Sequence, residues 1–171
     1  SIAAEEAELT SKTALAKFDA MMDEMDEGLV PPTGRILYVD TYTKTLLDNA
    51  VAIVRTNGDK VLSRSVSRLD EVDIVGVPTT LMKTNYTFND GTTGGQESGG
   101  IKPGDSAGDM AMILVHPSAV LPIVSYSFAQ LQEPSALSQG KYVYFEESFE
   151  DVFILDERHV GIQICVKKVA V

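Results

Sequence analysis

The sequence predicts a single domain in which helices and strands are mixed. Three observations support this prediction: an acidic helix-forming segment near the N-terminus, a short aliphatic run followed by a capping aspartate, and a strand-rich C-terminal third. With 171 residues the chain can bury one ordinary core, and a second independent core would be cramped. We therefore expect one domain with excursions.

The first element is an amphipathic helix predicted from near Thr10 to Glu27. Its apolar stripe follows steps of three and four residues, with acidic side chains on the other flanks. Gly28 is expected to end the helix, and Pro31 and Pro32 prevent it from restarting. Packing on its own domain is the commoner role of such a stripe, and docking of a partner is the alternative. The candidate packing or interface residues are Leu15, Phe18, Met22 and Met25, with Leu29 continuing the stripe.

The next elements are short and separated by turn signals. Ile36 to Val39 is predicted as a buried strand, and Asp40 caps a helix from Thr41 to about Asn49. The stretch 51–69 is compatible with helix or strand, with a turn at Asn57-Gly58-Asp59. A further strand over 72–77 is closed by Pro78.

Residues 85–108 are predicted to form one exposed and mobile loop. Seven of the 13 glycines lie between Gly91 and Gly108, and few apolar side chains accompany them. Such a segment cannot offset its ordering entropy by burial.

The last part of the chain is predicted to be mostly β-structure. Ala111 to Val115 forms a strand, and His116-Pro117-Ser118 breaks it and caps a short helix that runs to about Tyr126. Further strands are predicted at 142–145, 152–155 and 160–166, with a turn at 156–158. We expect the last two strands to pair as an antiparallel hairpin.

The composition argues against several classes of function. The net charge of −11 opposes general binding to nucleic acid, because phosphate contacts need clustered lysine and arginine. Residues 1–28 carry eight acidic side chains against two lysines, a pattern best explained as a solvated helix face. One cysteine and two histidines make a disulfide impossible within the chain and a zinc site hard to build. The sequence predicts no cofactor, no metal and no membrane span.

One string resembles a catalytic motif. Gly104-Asp105-Ser106-Ala107-Gly108 matches G-x-S-x-G, the nucleophile elbow of serine hydrolases, with His159 and either Asp151 or Asp156 as partners. An elbow needs a strand before the serine and a helix after it, whereas Lys102-Pro103 precedes Ser106 and a strand-like run follows it. The phosphate-binding glycine motifs and the calcium loop are also incomplete. The sequence therefore favours a protein that is not an enzyme, with no catalytic residues.

The order of several segments resembles the major capsid proteins of tailed bacteriophages. The resemblance rests on these segments: Leu29-Val30-Pro31, Gly34-Arg35 and Leu37-Tyr38-Val39; then 73–78; then Met112 to Val120, which contains His116-Pro117-Ser118-Ala119-Val120; then Glu133-Pro134, Tyr144, 151–155 and 160–162. It spans Phe18 to Ile164. No single segment is unique, and the specificity comes from their order.

The resemblance implies an α+β fold with a central sheet flanked by helices and a long peripheral-domain helix. Residues 1–30 would be the long helix of a peripheral domain, and residues 31–171 the mixed α+β body. The chain starts without methionine and in helix-forming residues, so we expect an N-terminally truncated piece that lacks the N-terminal arm and the extended β-hairpin of that family.

The function implied is that of a subunit that assembles with itself into hexamers and pentamers enclosing double-stranded DNA. Scaffold and portal proteins would be further partners. The protein would lie in the virion, and in the host cytoplasm before assembly. A related shell protein that is loaded with enzyme instead of DNA is the alternative, and a small hydrolase built on Ser106 is the enzyme alternative.

Overall fold

The computed structural model describes residues 4–55 and 67–168. The helices are α1 (Thr13–Glu27) and α2 (Thr41–Arg55). The strands are β1 (Ala4–Ala7), β2 (Ile36–Asp40), β3 (Arg68–Leu69), β4 (Val72–Val77), β5 (Tyr86–Asn89), β6 (Gly100–Pro103), β7 (Met110–Val115), β8 (Val120–Gln132), β9 (Val143–Ile154) and β10 (Ile162–Lys167). This mixture confirms the predicted α+β class.

The centre of the molecule is a mixed six-stranded sheet with the order β1-β10-β7-β2-β4-β3. β2 runs parallel to β4 and antiparallel to β7, which in turn pairs with β10. The paired residues Leu37, Ile74 and Leu114 lie on one face of this sheet. Both helices contribute side chains to the core on that face, with Phe18 and Met25 from α1 and Leu47 from α2.

The entry to α2 forms as the sequence predicts. Asp40 ends β2, and its Oδ1 accepts a hydrogen bond from the Thr43 backbone N–H at 3.0 Å, which caps α2. The ambiguous run after Asn49 continues the helix to Arg55. The predicted turn at Asn57-Gly58-Asp59 lies outside the described residues.

The end of α1 differs in detail from the prediction. The N–H of Leu29 donates to Asp26 O and that of Val30 to Met25 O, the two hydrogen bonds of a Schellman motif. Leu29, not Gly28, adopts the left-handed conformation, with φ 56°. Gly28 is needed because a Cβ there would overlap the Val160 side chain. Leu29 is 91% exposed, so the expectation that it continues the buried stripe is wrong.

The segment 85–108 is not one loop. β5 and β6 pair as an antiparallel hairpin, in which Phe88 lies opposite Ile101, and only the residues between them form the connection. The prediction failed at the two ends because backbone pairing between strands requires few buried side chains. The mobility of this segment stays a prediction.

Residues 120–154 form a long antiparallel hairpin, here called the ribbon, in which β8 pairs with β9 along their whole lengths. The predicted helix up to Tyr126 is wrong, because the cap at His116, whose Nδ1 accepts from the Ser118 N–H, closes only a single 3-10 turn, Pro117–Ala119. The branched and aromatic residues that follow favour strand. The strands predicted at 142–145 and 152–155 are two ends of β9.

The predicted hairpin between the last two strands is also wrong. β9 pairs with β8, whereas β10 pairs with β7 and β1. A 3-10 helix, Asp156–Gly161, separates β9 from β10. At the ribbon base, Leu155 N–H donates to Ala119 O at 3.3 Å and His116 N–H donates to Gly161 O at 2.8 Å.

Candidate interaction surface

The four residues singled out on α1 divide into two pairs. Phe18 and Met25 are fully buried in the core, whereas Leu15 and Met22 are partly buried and pack against its edge. Ala14 and Met21 complete the buried stripe. They were missed, although 14, 18, 21 and 25 also follow steps of four and three. Because Ala14 is small, it was not recognised as the first residue of the buried stripe.

A buried arginine joins α1 to β2. Arg35 is 1% exposed. Its Nη2 donates to Val30 O at 2.7 Å and to Asp26 Oδ1 at 2.5 Å, and its Nε donates to Pro31 O at 3.0 Å. A desolvated guanidinium is tolerated only with such partners. The arginine therefore holds the chain between α1 and β2 in place, a role that the sequence pattern around Gly34-Arg35 did not reveal.

A second buried charge links the end of β2 to the end of β10. The Asp40 carboxylate, fully buried, accepts from Lys167 Nζ at 2.6 Å through Oδ2 while Oδ1 caps α2. The Lys167 ammonium also lies 5.3 Å from the centre of the Tyr42 ring. Both oxygens of Asp40 are thus engaged in structural contacts.

The hydrolase alternative lacks its geometry. Ser106 lies in the turn between β6 and β7, so a strand and not a helix follows it. His159 Nδ1 contacts the backbone oxygen of Asp156 at 2.5 Å, and Asp151 lies on the ribbon, where its carboxylate accepts from Val152 N–H.

His116 uses both ring nitrogens structurally, with Nδ1 2.7 Å from Ser118 Oγ and Nε2 3.2 Å from Thr33 O.

The turn after β5 is organised by one carboxylate. Asp90 accepts from the backbone N–H groups of Thr92 and Thr93, both at 2.8 Å, and from Thr93 Oγ1 at 2.6 Å. These hydrogen bonds, that of the Thr93 hydroxyl first, hold the Asp90 pKa well below its usual range. Within the described ranges, no group of three or more histidine, cysteine or acidic residues is placed to hold a metal ion.

Most of the exposed large apolar side chains of the described chain lie on the ribbon. Its side chains from Leu121 to Ile154 are exposed apart from the half-buried Ser135 and Ser138 near the tip. Alternation along the strands and the pairing register divide them between two faces. The aromatic face carries Ile123, Tyr126, Phe128, Phe145, Phe149 and Phe153. The opposite face carries Val124, Leu131, Tyr144, Val152 and Ile154.

Each face of the ribbon combines apolar and acidic side chains. On the aromatic face, the Tyr126 and Phe149 rings lie 6.0 Å apart, as do those of Phe128 and Phe145. Glu147 and Asp151 lie on the same face, and Glu146 and Glu150 on the opposite one. Tyr144 donates to Glu146 at 2.9 Å, and this hydrogen bond raises the pKa of the Tyr144 hydroxyl. This surface was not predicted from the sequence, because the acidic side chains at 146, 147, 150 and 151 interrupt the apolar pattern.

Comparison with known proteins finds similarity in structure alone. No protein-family model matches the sequence, and no curated protein does. The fold is similar to the capsid structure of cyanophage P-SCSP1u, with a TM-score of 0.60, 14% identity, 95% of this chain covered and 48% of that chain. It is also similar to the mature capsid of bacteriophage PhiM1, with a TM-score of 0.60 and 14% identity. That match covers 94% of this chain and 48% of the PhiM1 chain. A structure of Mycobacterium phage Ogopogo gives a TM-score of 0.54, 15% identity and coverage of 96% and 54%.

The chain has the fold of phage capsid proteins, as the order of its sequence segments predicts. It spans about half the length of the capsid chains that it matches, 48% in both of the named capsids. No helix in the described part of the chain has the length and apolar character needed to cross a membrane.

Proposed function

We propose that this chain is a structural subunit of a phage head. Copies of it assemble into hexamers and pentamers of an icosahedral shell that encloses double-stranded DNA, and the protein acts through contacts between subunits and catalyses no reaction. The observation that carries the proposal is the match of 95% and 94% of the chain to two capsid structures, since almost nothing in it is left over for another fold.

The charge and the surface of the chain are consistent with this role. A net charge of −11 keeps a shell wall from trapping the DNA that must pass into it. The exposed ribbon offers apolar area of the kind that marks contact sites between proteins. Phe18 and Met25 serve core packing in this proposal, and the partly exposed Leu15 and Met22 remain candidates for contact with a neighbour, a scaffold or a portal protein.

The test is to look for the chain in particles from the organism that carries its gene. Particles purified by density should be digested with trypsin and examined by mass spectrometry. The peptides 36–44 and 159–167, which follow Arg35 and Arg158, should be recovered, and the protein should be the most abundant in the particle.

Two results would contradict the proposal. Recovery of both peptides only from the particle-free fraction would remove the capsid role. Recovery from particles that hold an enzyme cargo and no DNA would favour the nanocompartment instead.

A further inference from the structure

We propose that His116 is a proton-sensitive clamp at the base of the ribbon, which the neutral imidazole closes and the imidazolium opens. This device lies within one chain and is independent of the proposed function. The first observation is the position of the histidines: the sequence contains two, and one lies in each of the two connections between the sheet and the ribbon. His116 precedes the 3-10 turn Pro117–Ala119, and His159 lies in the 3-10 helix Asp156–Gly161.

His116 joins three segments that meet at this base. Its backbone N–H donates to Gly161 O at 2.8 Å, which ties the first connection to the second. Its Nε2 lies 3.2 Å from Thr33 O, in the segment between α1 and β2. Its Nδ1 lies 3.2 Å from Ser118 N and 2.7 Å from Ser118 Oγ. The ring therefore links the first turn of the ribbon base to the segment that follows α1.

These partners fix where the hydrogen of the neutral ring lies. A backbone carbonyl only accepts, so Nε2 carries the hydrogen that is donated to Thr33 O. A backbone N–H only donates, so Nδ1 is the bare nitrogen that accepts from the Ser118 N–H. The cap of the turn thus depends on a lone pair of the neutral ring.

Protonation places a second hydrogen on Nδ1 and removes this acceptor. The Ser118 hydroxyl can rotate and accept from the new N–H, because a hydroxyl is both donor and acceptor. The Ser118 backbone N–H has no such choice and loses its partner. The cap is therefore present with the neutral ring and is lost when the ring gains its proton. Histidine is the side chain that ordinarily changes charge between about pH 5 and 8, so mild acid is the signal for such a clamp.

The segments packed against the ring carry charges of both signs. The segment between α1 and β2 contributes Arg35, whose guanidinium is engaged by Asp26 and two backbone oxygens. On the 3-10 helix after β9, Arg158 Nη1 lies 3.4 Å from Ser118 O. The other titratable side chains of that helix are Asp156, Glu157 and His159. The last residue of β7 and the first residues of β8 and β10 are uncharged: Val115, Val120 and Ile162. Since carboxyl groups ordinarily titrate near pH 4, a titration from pH 8 to 5.5 tests the histidines.

The experiment is an NMR titration of the whole chain over that range, with amide exchange measured at both ends. We expect the ring signals of His116 and the amide signals of Ser118 and Ala119 to change with one common midpoint. The protection factor of the Ser118 amide, which corrects for the intrinsic pH dependence of exchange, should fall about tenfold from pH 8 to 5.5, as for one lost hydrogen bond. The Leu155 amide, which donates to Ala119 O at the ribbon base, should lose protection with it.

Two variants separate His116 from the other titratable groups. In His116→Asn, the amide oxygen can accept from the backbone N–H two residues on and does not titrate. The Ser118 and Leu155 amides of that variant should therefore keep the same protection at pH 8 and pH 5.5. The matched control, His159→Asn, removes the other histidine and should respond to pH like the parent.

Three results would overturn the inference. One is a parent chain in which the Ser118 or the Leu155 amide is equally protected at pH 8 and 5.5. The second is a His116→Asn variant that still loses protection in acid, and the third is a His159→Asn variant that does not. Should His116→Asn fail to fold, the parent and the His159→Asn control still decide between the two histidines. None of these outcomes depends on whether the chain is found in phage particles.

Discussion

Leu29 adopts a left-handed backbone conformation that glycine usually occupies. It occupies the left-handed position of the Schellman motif, where a side chain costs about 1 kcal/mol and glycine costs none. The adjacent Gly28 cannot be replaced by a larger residue, because the Val160 side chain occupies the place where its Cβ would lie. The two neighbours thus satisfy different constraints, one conformational and one steric.

We predict that Leu29→Gly stabilises the protein by about 0.5 to 1 kcal/mol, after allowance for the greater freedom of glycine in the unfolded chain. The exposed leucine side chain has little burial to lose. Urea unfolding measures the effect. Leu29→Ala keeps the strain and should not stabilise, while Gly28→Ala should destabilise. Equal stability of the Leu29→Gly variant and the parent would show that the backbone there is unstrained.

Arg35 and Asp26 form an ion pair whose two members should not matter equally. The guanidinium is buried and also serves two backbone oxygens, whereas the Asp26 side chain is 60% exposed. We predict that Arg35→Leu costs about 3 kcal/mol, because Val30 O and Pro31 O lose their donor. Asp26→Asn should cost less, about 1 to 2 kcal/mol, because the amide oxygen can still accept from Nη2 and both backbone oxygens keep their donor, although the buried charge loses its carboxylate. Chemical denaturation of both variants is the measurement, and equal losses would contradict this account.

Among elements, the strength of the local signal decided what the sequence could predict. The cap at Asp40 and the break after α1 depend on neighbours in the chain, and both were predicted. The partners of Arg35 and the pairing of β10 with β7 depend on residues far apart, and neither was. The ribbon was missed for another reason: with no face buried, its strands lack the strict alternation of apolar and polar residues that marks a half-buried strand.

The turn between β5 and β6 should respond to pH through Asp90. Because hydrogen bonding lowers the pKa of this carboxyl in the folded state, its contribution to the turn is present above the usual aspartate pKa. That contribution is lost as pH falls below that value toward the folded pKa. We expect the NMR signals of the Asp90 carboxyl and of the Thr92 and Thr93 amides to titrate together. Their common midpoint should lie at a lower pH than that of an ordinary aspartate.

Asp90→Asn is the control for this turn, since the amide oxygen still accepts hydrogen bonds and does not titrate. In that variant the two threonine amides should show no such transition. Titration of Asp90 in the usual aspartate range would mean that its hydrogen bonds do not persist in solution.

At the scale of the whole molecule, the buried side chains of α1 belong to the same core as the sheet. Phe18 and Met25 share one cluster with Leu37, Met112 and Leu114. The division into a helix at 1–30 and a body at 31–171 stays a prediction about the larger assembly. Within this chain, the shared core favours unfolding as one unit.

Phe18→Ala tests whether the helix and the sheet unfold as one unit. Removing a fully buried aromatic side chain should cost about 3 to 5 kcal/mol. The loss of helix, followed by far-UV circular dichroism, and the exposure of the buried Cys165 thiol in the sheet, followed by its reactivity, should share one lowered midpoint. Two separated transitions would favour an α1 that unfolds independently.

The base of the ribbon is a point about which the ribbon can rotate relative to the sheet. β8 and β9 continue from the paired strands β7 and β10 through two 3-10 turns, so within the described residues the chain passes from the sheet to the ribbon and back through short connections. A rotation of about 10° there would move the tip of the roughly 40 Å arm by about 7 Å without disturbing the core. We expect spin labels at Leu137, at the tip, and on α1 to show a broad distance distribution, and a narrow one would exclude such swinging. If the chain assembles as proposed, one amino-acid sequence meets neighbours at unequal distances by changing only the angle of its arm.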